Sequence, residues 1–240
     1  MLRYEILNKH PRQFLALTGL TPGEFKRVLT EFAKAYETLY PAAKTLAGKA
    51  RQRQPGGGRD STLTNLEDKL LFVLVYQKTY PLPVVQGELF ALSQPRTNYW
   101  IHHLLPVLQL ALHQMGVMPE RTGPQLARHE QQQHEAPELI IDGTERRRQR
   151  PKKPEKQALH YSGKKKAHSD KNIVVVQRAS TCVAFLRKTY AGRVHDKKAA
   201  DQEQIKYPRK AIVHKDTAFQ GYEPPVQQTY QPKKNRVVAN

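Results

Sequence analysis

Apolar residues recur along the chain with two different periods, and the change of period divides it. In the first half the spacing is helical. The segment TPGEFKRVLTEFAKAYETLY places Phe25, Val28, Leu29, Phe32, Ala33 and Tyr36 on one face, the repeat of an amphipathic helix. Thr21 supplies an N-cap, Pro22 suits the first helical position, and Glu24 completes a capping box. LEDKLLFVLVYQKTY predicts a second helix, ended by Pro81 and Pro83. VVQGELFAL predicts a short third. QPRTNYWIHHLL predicts a fourth, capped by Ser93, with Trp100, Ile101, Leu104 and Leu105 on its apolar face. About four residues join the last two, the tight connection of a helix-turn-helix.

Beyond residue 138 the period shortens. ELIID, NIVVVQR and TCVAFLRKTY are β-branched or apolar runs, followed by a helix across KKAADQEQIKY and a short strand at AIVHK. Strand, strand, strand, helix, strand is the opening order of a ribonuclease H-like α/β domain, an assignment by analogy. Cys182 falls in one of these strands and reads as core rather than as a nucleophile. Two stretches lack a period. KARQRQPGGGRDST, residues 49–62, reads as a flexible basic linker, and the Pro- and Gly-punctuated segment 119–138 as a domain boundary. The expected organisation is mixed. A helical segment over 1–48, a linker over 49–65 and an all-α helix-turn-helix domain over 66–118 precede a polar linker over 119–137 and an α/β domain over 138–240.

Charge narrows the partners. Forty Lys and Arg stand against twenty-one Asp and Glu, a formal charge of +19 in 240 residues, and such a surface attracts polyanions. Nucleic acid is favoured over a membrane, because no apolar run approaches the roughly 20 residues of a spanning helix and the N-terminus lacks a secretion signal. A single cysteine permits no intramolecular disulfide and fits a reducing cytoplasm, with the chain associated with the nucleoid.

The candidate chemistry lies in ELIIDGTERRRQRP. Asp142 ends the first predicted strand, and Asp216 follows the last one, AIVHK. If those strands are neighbours, both carboxylates emerge at one edge, and hard oxygen ligands of that kind suit Mg²⁺ or Mn²⁺. The alternative makes each a turn residue, Asp142 in an Asp-Gly pair and Asp216 capping Thr217. Arg146, Arg147, Arg148 and Arg150, with Lys152, Lys153, Lys156, Lys164, Lys165 and Lys166, would neutralise successive DNA phosphates or else form a solvated charged loop. On the fourth helix Gln94, Arg96, Asn98, Tyr99 and His102 lie off the apolar face, suited to base edges in a major groove. A hairpin packing only on itself would look similar. His129 and His134 in HEQQQHE are wrongly spaced for a zinc helix. Gly56 to Gly58 lack the Lys and Ser or Thr of a phosphate loop.

The segments LTGLTPGEF, LEDKLLFVLVYQKTYPLPVVQGELFALSQPRTNYWIHHLLPVL, IIDGTERRRQRP, YSGKKKAHSDKN, GRVHDKKAAD and DTAFQGYEP, in that order, resemble successive motifs of bacterial insertion-sequence transposases. The group is the one with an N-terminal helix-turn-helix and a DDE endonuclease domain. The resemblance implies that Asp142 and Asp216 are the first two acids of the triad, on a ribonuclease H-like fold. It implies metal-dependent phosphoryl transfer, in which two Mg²⁺ ions activate water and then a 3′-hydroxyl. DNA, as terminal inverted repeats and as target, is the implied partner, met by an oligomer that joins two ends. The sequence departs from the family at its end. The family's third acid is a Glu on a later helix, whereas here only Glu223 follows Asp216, and in GYEPP it reads as a loop residue. Asp196 reads as a cap on the following helix more readily than as an auxiliary ligand. The expectation is therefore a transposase domain lacking its last helix and incomplete as a catalyst. It is either a relic or a first reading frame whose second-frame product supplies the Glu. The alternatives are a non-catalytic, sequence-specific DNA-binding protein and an RNA-associated basic protein. The last is disfavoured because the major groove of duplex RNA is too narrow for side chains.

Overall fold

The capping box at Thr21 forms. The Thr21 hydroxyl accepts from the Glu24 N–H at 3.3 Å, and the Glu24 carboxylate accepts from the Thr21 N–H at 2.8 Å, starting α3, Pro22–Leu39. In this computed structural model, which describes residues 1–44, 48–52, 61–129 and 136–233, α1 (Tyr4–Leu7) and α2 (Pro11–Thr18) precede it, and α4 (Leu66–Thr79), α5 (Pro83–Phe90) and α6 (Gln94–Gln114) follow. The chain divides into two compact units, Met1–Val117 and Met118–Asn240.

In the first unit α4 is the central element. Leu70, Leu71, Phe72, Val73, Leu74 and Val75 are buried in succession, as a helix surrounded on all sides requires. Phe14 of α2, Phe25 and Phe32 of α3 and Phe90 of α5 close on it, all fully buried. Residues from 1–44 and from 63–115 thus share one core, because an amphipathic helix needs a partner for its apolar stripe. Leu63, at the end of the stretch read as linker, is itself fully buried, and the Thr62 carbonyl accepts from Arg3 Nη1 at 2.9 Å. The GGG run of that linker lies outside the described residues. Helix α6 runs well past the predicted segment, through an internal Pro106. Burial of Leu104, Val107, Leu108 and Ala111 around that proline offsets the lost backbone bond. Between α5 and α6, Gly87 is required. A Cβ there would lie 2.5 Å from the Leu92 carbonyl oxygen.

The second unit is a mixed sheet. Helix α7 (Gly123–His129) leads to β1 (Glu138–Arg147), then α8 (Pro154–His160), β2 (Tyr161–Ser162), β3 (Ala167–Gln177), β4 (Val183–Ala191), α9 (Asp196–Glu203), β5 (Ile212–Lys215), a 3₁₀ turn at Thr217–Phe219, and β6 (Gln228–Tyr230). Strands β4, β3 and β1 are antiparallel neighbours. Strand β5 joins β1 in parallel, and β6 joins β5 in parallel. Short β2 pairs with the start of β3. The predicted order of three strands, a helix and a strand is present, with α8, β2 and β6 added to it.

One sheet face is covered. Leu139, Ile141, Ile173, Val175, Phe185 and Val213 pack with Ala199 and Ala200 of α9 and with Phe219. The other face is open, with Ile140 38% and Tyr230 47% exposed. Cys182 is exposed, contrary to the core reading. Strand β4 begins at Val183, so the cysteine sits in the β3–β4 connection, which turns through a left-handed Thr181 at φ +57°. No helix among the described residues is long and apolar enough to cross a membrane.

Candidate active site

The parallel pairing of β1 with β5 builds the site. Its register runs from Glu138 opposite Ile212 to Ile141 opposite Lys215, so Asp142, within β1, comes next to Asp216, the first residue after β5. Both are exposed. Gly143 continues β1, opposite Ile173 of β3, and the pairing runs on to Arg147, so Asp142 neither ends the strand, as its position after the apolar run predicts, nor begins a turn. Its Oδ1 accepts from the Gly143 N–H at 2.8 Å. Asp216 does cap the 3₁₀ turn, accepting from the Ala218 N–H at 2.9 Å. Capping and proximity to Asp142 are therefore compatible.

Strand alternation sends Asp142, Thr144 and Arg146 to the open face, with Val174, Asn172 and Asp170 of β3 opposite them. Arg146 Nη2 donates to Asn172 Oδ1 at 2.8 Å. Arg148 Nη1 donates to Asp170 Oδ1 at 2.8 Å, and His160 Nδ1 meets the same oxygen at 3.0 Å. Of the cations read as DNA contacts, Arg148 thus has its charge partly taken by a carboxylate. Arg147 is exposed on the opposite side of the strand. Lys164, Lys165 and Lys166 are exposed in the turn between β2 and β3.

Beneath the acids lie two buried lysines that sequence reading missed. Lys171 Nζ lies 2.5 Å from Asp196 Oδ1 and 3.3 Å from Glu145 Oε1, and it donates to the Val194 carbonyl at 2.8 Å. Burial pushes the Glu145 carboxyl up, but hydrogen bonds from Ser162 and Ser169 and the Lys171 charge outweigh it and hold the group below its ordinary value. Asp196 is the first residue of α9 and is held by Lys171. The cap reading fails, since His195 occupies the N-cap without a side-chain bond. Asp196 is also on the face opposite Asp142, packed under Gly143, where a Cβ would come within 2.8 Å of its carboxylate. The second lysine, Lys215, donates to the Tyr222 carbonyl at 2.5 Å and to Glu223 Oε1 at 2.7 Å. Glu223 is in a loop, as expected, and is tied to that lysine, whose hydrogen bond lowers its pKa. The available signal for Lys171 was its period: residues 169, 171, 173 and 175 alternate to the inner face of β3.

In the helical unit Gln94, Arg96, Asn98, Tyr99 and His102 are all exposed on α6, while Thr97, Trp100, Ile101 and Leu104 are buried. The Arg96 guanidinium lies over the Tyr99 ring, 5.5 Å from its centre. Tyr99 stacks on His103, which stacks on Tyr40 in turn. Ser93 occupies the N-cap of α6 without a side-chain cap bond. The side chains of His129 and His134 lie outside the described residues.

Among the described residues no three His, Cys, Asp or Glu side chains converge as a metal cluster. Two adjacent, exposed carboxylates still fit Mg²⁺, which is held by one or two carboxylates and completes its octahedron with waters and phosphate oxygens. Residues 141–239 match the family model of the DDE superfamily endonuclease, a match that starts one residue before Asp142. It supports a DDE-type, transposase-like nuclease in this unit, a class that acts on DNA and generally uses divalent metals, and the mixed sheet is compatible with such a domain. No curated protein and no solved structure matches the chain.

Proposed function

We propose that the chain is a DNA transposase of an insertion sequence, in which α5 and α6 form a helix-turn-helix that reads terminal inverted repeats and the sheet unit cleaves and transfers strands. The observation that carries this reading is the parallel register of β1 and β5, which sets Asp142 beside Asp216 within a segment matching a DDE endonuclease. Asp142 and Asp216 would hold a divalent cation, whose Lewis acidity activates water or a 3′-hydroxyl toward a phosphodiester. The chain's own part is to orient it. The covered face holds β1 and β5 rigid, and Lys171 and Lys215 neutralise the nearby carboxylates of Glu145, Asp196 and Glu223 so that these do not compete for the ion. Arg146 and the turn of Lys164 to Lys166 draw phosphates to the open face. Arg96 and Asn98 offer bidentate contacts to guanine and adenine edges.

The test is cleavage, by the purified chain in Mn²⁺, of labelled DNA spanning the ends of its encoding element, beside Asp142→Ala and Asp216→Ala. Cleavage by the parent and a loss of about 10³-fold or more in both variants is the expected result, the scale of removing a group essential to transition-state stabilisation. A second reading, a sequence-specific DNA-binding module without catalysis, is favoured by one observation: only two carboxylates meet at the edge among the described residues. Tight binding of the same ends without cleavage in any metal would establish it.

A further inference from the structure

Between α8 and the start of β3 lies a cavity of about 630 Å³, lined by Arg150, Gln157, Tyr161, Gly163, His168 and Arg193, with Ala158 at its side. Among the described residues no carboxylate lines it. Arg150 is already set in place, its Nε and Nη2 donating to Gln157 Oε1 at 3.1 and 2.9 Å, while Gln157 Nε2 donates to the Pro151 carbonyl at 2.8 Å. Tyr161 meets His168 edge to face, with ring centres 5.7 Å apart. That contact fixes the tyrosine ring while 45% of the residue remains exposed. Gly163 opens onto free space, since a Cβ there would meet nothing within 4 Å, and Lys164, Lys165 and Lys166 follow it directly.

We infer that this cavity binds one unpaired nucleotide of the DNA strand, with its base against Tyr161 and its phosphates between Arg150 and Arg193. Phosphate alone accounts for the arginines but leaves the half-exposed aromatic ring without a role. A base in a stacked duplex cannot offer its face to a ring, so the base must be unpaired. The cavity also lies on a continuous track from the acids. Asp142 is opposite Val174, Arg146 is opposite Asp170, and the Arg148 N–H donates to the His168 carbonyl, all on the open face. From Val174 to His168 is six residues of β3, roughly 20 Å at about 3.3 Å each. The inference rests on the reading of this unit as a DNA-cleaving domain and adds where a displaced nucleotide goes.

Fluorescence anisotropy with the full chain tests it. The probes are a blunt duplex, the same duplex with a three-nucleotide single-stranded tail, the same tail with abasic sites, and a free nucleoside monophosphate. The tail should raise affinity on the order of 10-fold, as stacking on one aromatic side chain predicts, and the abasic tail should not. Tyr161→Ala and Gly163→Leu should each erase that gain while leaving blunt-duplex binding unchanged, which also reports that both variants are folded. Equal affinity for tailed and blunt DNA, or an abasic tail as good as the normal one, overturns the inference and leaves the DNA-cleaving reading standing. Binding of the free nucleotide with no binding of any DNA removes both.

Discussion

The two units bury charge for different ends. In the helical unit the buried carboxylate of Asp68 joins segments: it accepts from Arg3 Nη1 at 2.6 Å and from the Tyr4 N–H at 2.8 Å, tying α1 to the start of α4. Lys69 lies across the Tyr36 and Trp100 rings and donates to the Thr64 carbonyl. These contacts hold helix ends, and the candidate DNA contacts are elsewhere, on the exposed side of α6. In the sheet unit the buried lysines lie on the strands that carry or adjoin the acids: Lys171 is on β3, opposite Glu145 of β1, and Lys215 is the last residue of β5, immediately before Asp216. A helix can thus keep its structural and its exposed candidate residues on separate faces along its whole length, whereas on β1 the exposed Asp142 and the lysine-bound Glu145 are three residues apart on opposite faces of one strand.

The sharpest way to break this comparison is in the helical core. Phe72→Ala should lower stability by about 3 to 5 kcal/mol, the usual result of emptying a fully buried aromatic site, read by denaturant unfolding. A loss under 1 kcal/mol would mean that α4 is not the central helix. Next in size, Lys171→Met should cost about 3 kcal/mol, because it strands Glu145 and Asp196 without their cation. Ile140→Thr on the open face should change stability by less than about 0.5 kcal/mol. Equal losses from these two changes would show that the two faces are not distinct.

Acid sharpens it further. The folded-state pKa of Glu145 is lowered relative to its ordinary 4.5, so its contribution to stability is fully present above that value and is lost as pH falls through the lowered one. The Tm of the parent should therefore fall faster than that of Glu145→Gln as pH is taken below 4.5. Parallel curves would mean that the pairing of Glu145 with Lys171 contributes nothing to stability. His103 has a lowered pKa from burial and from the Lys69 charge. Its contribution is fully present above 6.5 and declines below it, a smaller effect confined to the helical unit. Smallest are the caps. Thr21→Ala should cost about 1 kcal/mol and Ser93→Ala only a few tenths, since of these two residues Thr21 alone makes a side-chain cap bond.

Much of the helical unit was legible in the residues. The repeat from Phe25 to Tyr36, the capping box and the exposed row on α6 all follow from a period that local geometry imposes. What was not legible there was that α4 is surrounded and that α6 passes through Pro106, because burial from neighbouring helices overrides a local penalty. In the sheet unit the strands around Ile141, Val175 and Phe185 were read in order. Cys182 was misplaced because a run of apolar letters does not mark the residue at which pairing starts. Helix α8 was not foreseen, having no buried face to give it a period.

Two periods, the order of the main elements, the excess of positive charge and a carboxylate directly after the apolar run of each of two strands were set by the sequence by itself. Those are local properties, set by side-chain alternation and backbone preference within a few residues. Tertiary structure alone decided that β1 and β5 are parallel neighbours with Asp142 next to Asp216, that Asp196 turns away from them to Lys171, and that Arg150 and Arg193 line one cavity with Tyr161. These depend on which strand hydrogen-bonds to which and on how the connections between strands fold back, and on β1 and β3 a one-residue slip would send Asp142 and Lys171 to the other face.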